Sequence, residues 1–105
     1  MQKGLVREEM LIKAARRFQL LGEPVRLHIL NNIQTVGEMN VQELIDATRQ
    51  NRANISKHLR LLATEGMVSR RKDGLYAYYS ISDPSLAAIC LLVCGQIRNE
   101  EEVLL

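Results

Sequence analysis

Much of the equipment of enzymes and secreted scaffolds is missing from this 105-residue chain, which has two cysteines, two histidines, two prolines and six glycines. Two cysteines can form at most one bridge, which excludes a disulfide scaffold. No apolar run is long enough to span a bilayer and no secretory pattern is present, so a soluble, cytoplasmic protein with no membrane partner is expected. A phosphate-binding glycine loop, a carboxylate pair with a plausible cleft and a recognisable Cys/His arrangement are all lacking, so neither enzymatic activity nor a cofactor is expected. There is no repeat, low-complexity tract or linker, and residues 1–105 read as one domain.

Charge of one sign is scarce in the whole and abundant in a part. The net charge is only +2. Residues 49–72 carry seven Lys/Arg (Arg49, Arg52, Lys57, Arg60, Arg70, Arg71, Lys72) against the single acid Glu65, a balance of +6 that leaves −4 for the rest. A solvated charged surface is the plain account of such a block. Its segregation inside one domain points instead to a polyanion.

Helix signals order the chain. Met10, Leu11, Ala14, Ala15, Phe18 and Leu21 form one stripe of an amphipathic helix over residues 6–21, ended by Gly22. Pro24 opens a second helix with Val25, Ile29, Leu30 and Ile33, which Gly37 breaks. Asn40 and Glu43 have capping-box spacing for a short third helix, 41–48, with Val41, Leu44 and Ile45 inside. Asn51 is a good N-cap for a fourth helix, 51–65, which Gly66 stops. Asp73-Gly74 signals a hairpin turn, with Leu75, Ala77, Tyr79 and Ile81 alternating against Tyr76, Tyr78 and Ser80 on the returning strand. Asp83-Pro84 caps a last helix, about 84–98, that is apolar on every side. A helix so apolar in so small a domain is covered from two directions, one of them a second subunit. The expected order is ααααββα, a mainly α fold.

The fourth helix carries the chemistry. Ile55, Leu59 and Leu62 cluster, with His58 at their edge. Ala53, Lys57, Arg60 and Thr64 point the other way, flanked by Arg52, Asn54 and Ser56. A capped short helix, a tight turn and a second helix with a basic outer face make a helix-turn-helix pattern. Arg or Lys pairs with guanine O6/N7, Asn with adenine, and Ser is an adaptable donor. Ala53 leaves room for close approach or a thymine methyl, and no acid repels phosphate. An exposed amphipathic helix is the plain alternative.

Before the turn, Arg70, Arg71 and Lys72 form a basic finger suited to phosphates or a minor groove. Tyr78 could lend a hydroxyl to the nucleic-acid backbone or pack on a neighbouring helix.

The segments "LGEPVRLHIL", "NISKHLRLLATEGMVSRRKDGLYAYYSI" and "DPSL" resemble the ArsR/SmtB family of dimeric winged-helix repressors, over roughly residues 10–98. The resemblance implies a winged helix-turn-helix homodimer joined through its first and last helices. It also implies helix 51–65 in the major groove of a near-palindromic DNA operator, and release by an effector.

The family's metal sites do not carry over. An arsenic- or cadmium-type site needs Cys-x-Cys on the third helix, where this chain has Leu44-Ile45-Asp46-Ala47. A zinc- or nickel-type site on the last helix is matched by Asp83 alone, since Ser85, Gln96 and Asn99 stand at the other positions. No metal site is therefore expected. Asp83 reads more simply as an N-cap, and His28 and His58 as satisfied structural residues.

Cys90 and Cys94 share a helix face at i, i+4. They are either small core residues or a thiol pair sensing an oxidant, a reactive sulfur species or a soft metalloid. A direct disulfide within one helix is disfavoured by their separation of about one turn. The reading is a DNA-binding repressor; a winged-helix module docking an acidic protein partner is the alternative.

Overall fold

The computed structural model describes residues 6–104, in the order α1 (Glu8–Leu21), α2 (Pro24–Val36), β1 (Met39–Asn40), α3 (Val41–Thr48), α4 (Arg52–Thr64), β2 (Val68–Asp73), β3 (Tyr76–Ile81) and α5 (Pro84–Leu104). This is the expected winged helix-turn-helix with one addition, the two-residue strand β1.

Local chemistry sets most boundaries. Glu23 accepts from the Arg26 backbone N–H at 2.9 Å and caps α2, with Pro24 at its first position. Asn40 and Glu43 form the reciprocal capping box of α3, at 2.8 and 2.9 Å. Asn51 Oδ1 accepts from the Asn54 N–H at 2.8 Å to cap α4. Asp83 Oδ1 accepts from the Ser85 N–H at 3.0 Å and from its hydroxyl at 2.6 Å, at the start of α5. Gly37 stands at φ +107°, where a side chain is strained, and closes α2.

Two ends differ from expectation. α1 starts at Glu8, with Glu8 and Glu9 suited to the positive end of its dipole. α5 runs on past residue 98 to Leu104, because the polar 98–102 segment is rich in Glu, a good helix former, and contains no Gly or Pro.

The sheet order is β1-β3-β2, all antiparallel. Asp73 pairs with Tyr76, so the turn residues are Gly74 and Leu75, one position later than the Asp-Gly signal suggests. Gly74 at φ +61° supplies the positive φ of a two-residue turn. Leu75 is therefore in the turn, not on the strand, and is 97% exposed.

The core gathers Ile29 and Ile33 of α2, Leu44 of α3, Ile55, Leu59 and Leu62 of α4, Met67, Val68 and Leu86. Each buried aliphatic side chain contributes ~1.5–3 kcal/mol of transfer free energy. Partly buried Tyr79, Ile81 and Cys90 pack against it. His58, expected as a satisfied structural residue, is buried with its ring beside Arg26, while His28 is exposed on α2.

Of the expected stripe on α1 only Leu21 is buried, and the other buried residue of the helix, Leu20, lies outside that stripe. Met10, Leu11 and Phe18 of α1 and Leu91, Leu92, Val93 and Ile97 of α5 stay exposed. A groove of about 290 Å³ lies between the two helices, lined by Met10, Phe18, Leu21, Leu86 and Ile89 among others. No described helix is long and apolar enough to cross a membrane.

Candidate nucleic-acid interface

α3 and α4 meet through a three-residue turn, 49–51. Arg49 closes α3 in the left-handed region at φ 61°, its N–H on the Ile45 carbonyl at 2.8 Å. Thr48, buried, turns its hydroxyl onto the Leu44 carbonyl at 2.6 Å and accepts from the Gln50 N–H at 3.3 Å. These bonds hold the angle at which α4 leaves α3.

α4 divides as its 3.6-residue period requires. Ile55, His58, Leu59 and Leu62 are buried, whereas Arg52, Ala53, Lys57 and Arg60 are exposed. Asn54 and Ser56 are half-buried on the flank. Two of the side chains assigned from sequence are already engaged. Arg52 Nη2 donates to Gln42 Oε1 at 2.6 Å, and Asn54 Nδ2 donates to Gln50 Oε1 at 2.6 Å. Gln42 and Gln50 carry no sequence signal of their own, because their roles depend on how α3 and the turn lie against α4.

In the wing, cross-strand neighbours share a face. Met39, Val68, Tyr79 and Ile81 form the core side, and Arg70 and Lys72 continue that face outward to exposed positions. Arg71 lies on the opposite face with its partner Tyr78, its guanidinium 5.0 Å from the ring centroid. Arg71 is also paired with Glu38, Nη2–Oε1 2.6 Å and Nε–Oε2 3.3 Å, and lies 3.6 Å from Asp73. The Arg71 hydrogen bond and charge hold the Glu38 carboxyl below its usual range, and Glu38 holds the Arg71 guanidinium above its own. Arg70, Arg71 and Lys72 thus do not form one uniform finger. Arg70 and Lys72, with no ion pair among the described residues, stand on one face and the paired Arg71 on the other, with half-buried Tyr78 beneath it.

Cys90 and Cys94 lie on α5, away from this surface in the chain. Cys90 is half-buried against the core and Cys94 is exposed. Burial, then the neighbouring Cys94, pushes the Cys90 thiol up, so it stays protonated at neutral pH. Asp83 does act as an N-cap and also takes Arg17 Nη1 at 2.7 Å. The Ser85 hydrogen bonds come first, and with Arg17 they hold its carboxyl low. Among the described residues there is no group of three or more His, Cys, Asp or Glu able to hold a metal ion.

Comparison with known proteins agrees with this architecture. Residues 23–70 match the family model described as bacterial regulatory protein, arsR family. An uncharacterised HTH-type transcriptional regulator of Methanocaldococcus jannaschii is 38% identical over 81 residues, covering 77% of this chain and 91% of that protein. The arsenical resistance operon repressor of Escherichia coli is 35% identical over 85 residues, covering 81% and 73%. Among solved structures, the homodimeric winged helix-turn-helix DNA-binding domain from Mycobacterium bovis superposes with a TM-score of 0.76 at 29% identity, covering 97% of this chain and 94% of that one. This chain belongs to the arsR family of bacterial regulatory proteins.

Proposed function

We propose that the protein is a homodimeric transcriptional repressor that binds a near-palindromic operator and leaves it in response to a thiol-directed effector. The observation that carries the DNA reading is the split of α4. Its apolar side is buried, and its outer side offers Arg52, Ala53, Lys57 and Arg60 with no acid among them. In this reading Arg52, Asn54 and Ser56 address base edges, Lys57 and Arg60 address phosphates, and Arg70 and Lys72 of the wing reach the backbone or minor groove.

The dimer reading rests on the exposed apolar residues of α1 and α5. Left in water, Leu91, Leu92 and Val93, at 69%, 74% and 54% exposure, would be an aggregation hazard, and a second copy of the same face is a self-complementary cover. The homodimeric Mycobacterium bovis relative supports it. The effector reading rests on Cys90 and Cys94, the two thiols of the sequence, one turn apart on a helix of that face. The Escherichia coli relative, an arsenical resistance operon repressor, supports a soft metalloid as one member of that effector class.

The test is a binding titration with duplex from upstream of the protein's own gene against a scrambled duplex, over a salt series. A steep salt dependence with preference for the first duplex is expected. Salt-sensitive retention on heparin with equal affinity for both duplexes is what docking of an acidic protein partner predicts, and it would end the repressor reading.

A further inference from the structure

Arg52 begins α4, and its guanidinium is not left to wander. Nη2 donates to Gln42 Oε1 at 2.6 Å, ten residues back on α3. Gln42 in turn donates Nε2 to Asp46 Oδ1 at 3.0 Å, one turn further along the same helix. All three side chains are exposed, yet they form a directed chain. An ionised carboxylate only accepts, and a guanidinium only donates. An amide lodged between them therefore has one satisfied orientation, its NH₂ toward Asp46 and its oxygen toward Arg52. The flipped amide would set donor against donor and acceptor against acceptor.

We infer that Gln42, oriented by Asp46, is a positioning residue for Arg52, so that specificity at the base addressed by Arg52 depends on an α3 side chain that need not itself touch DNA. The inference rests on the reading of Arg52 as a base-edge donor. Among the described residues one of the five N–H groups of the Arg52 guanidinium is engaged, which leaves an edge for the bidentate pairing that distinguishes guanine. A bidentate contact is selective only if its fork arrives in the right plane, and an unrestrained arginine at a helix start samples many rotamers. The Gln42 bond removes most of them before DNA arrives. The chain also accounts for the acid so near the reading surface. Asp46 faces the amide, and its charge is spent on orienting it rather than on pairing with the reading arginine.

The test uses the full-length dimer and a set of duplexes in which each operator position is substituted in turn, with thermal stability measured beside it. Arg52→Ala is expected to abolish discrimination at one base-pair position, a loss of roughly 5- to 150-fold for a bidentate contact. Gln42→Ala is expected to lose at least about fivefold at that same position and at no other, with unchanged melting temperature and unchanged affinity for scrambled duplex. The double change Gln42→Glu, Asp46→Asn keeps the charge of the pair and rebuilds the chain. The amide introduced at position 46 donates to the carboxylate introduced at position 42, which accepts in turn from Arg52. This double variant is expected to restore discrimination. Full discrimination in Gln42→Ala, a loss spread over all positions, or no restoration in the double variant would overturn the inference while Arg52 remains a reader. If Arg52→Ala discriminates like the parent protein, the reading of Arg52 itself fails, and the inference with it.

Discussion

Arg26 of α2 places Nη1 3.3 Å from Nδ1 of His58 in the middle of α4, and its Nε donates to the Leu20 carbonyl at the end of α1 at 2.6 Å. A guanidinium can only donate, so Nδ1 accepts and the imidazole proton sits on Nε2, which faces Glu23 Oε2 at 4.0 Å. One side chain thus ties the helix that carries the exposed apolar face to the helix that carries the basic one. Arg26→Ala leaves a buried imidazole acceptor without its partner. A loss of ~1–3 kcal/mol in urea unfolding is expected, with DNA affinity reduced because α4 is no longer held.

The same ring makes stability depend on pH. Burial first, then Arg26 and Lys57, hold the His58 pKa below its usual value, against the opposite pull of Glu23. The unfolded chain, with its histidine titrating at about 6.5, binds protons there that the folded chain refuses. Stability is accordingly full above about pH 6.5 and declines as pH falls below it. Unfolding free energies of the parent and His58→Gln, measured from about pH 8 to about pH 5, check this. The variant is expected to lack the His58 part of the decline, and an identical profile would count against it.

Arg70 and Lys72 are expected to matter more to the wing than Arg71. Each of Arg70→Ala and Lys72→Ala weakens binding to every sequence and lowers the salt slope by ~0.9, the value for one phosphate contact. Arg71, already paired with Glu38, changes the slope less. Glu38→Gln releases Arg71 and removes a negative charge, so affinity for any duplex rises. Titrations over a series of salt concentrations separate these outcomes. An Arg71→Ala slope as large as that of Arg70→Ala would show that DNA displaces Glu38.

The exposed face of α5 leads to a prediction of assembly. Leu92→Glu, a change at a side chain 74% exposed in the single chain, is expected to convert a dimer into a monomer or an insoluble protein, and to remove operator binding with it. Analytical ultracentrifugation across a wide range of concentration reads the outcome. A soluble monomer that still binds operator with parent affinity would refute the dimer.

The two thiols are expected to differ in rate. Cys94 is exposed in the single chain, and Cys90 is half-buried with its thiol held protonated, so once the subunits are separated an alkylating agent at neutral pH reacts with Cys94 first. The double change Cys90→Ser, Cys94→Ser is expected to keep DNA binding and to lose the response to trivalent arsenic, persulfide or a mild oxidant, while zinc and nickel leave the parent unaffected. Gel shifts of both proteins with each agent, with and without reductant, decide it. A double variant that still responds would return both cysteines to a packing role.

What the sequence determined alone is what local chemistry and helical periodicity control. Asn40 with Glu43, Asn51 and Asp83 are caps whose partners lie within three residues, so spacing reveals them. The inward Ile55, Leu59 and Leu62 and the outward Lys57 and Arg60 follow from 3.6 residues per turn once α4 has a core to face. Tertiary structure decided the rest. The strand β1 is two residues long and exists because Met39 and Asn40 lie beside Tyr79 and Tyr78, some 38 to 40 residues on, a pairing no local pattern announces. The turn sits at Gly74-Leu75 because packing of Val68, Tyr79 and Ile81 on the core sets the strand register, which overrides a dipeptide signal. Arg71 with Glu38 and Arg26 with His58 are 33 and 32 residues apart, and Arg17 with Asp83 are 66 apart. Which base is free and which is already paired is a property of distance in space, and a charge count along the chain cannot contain it.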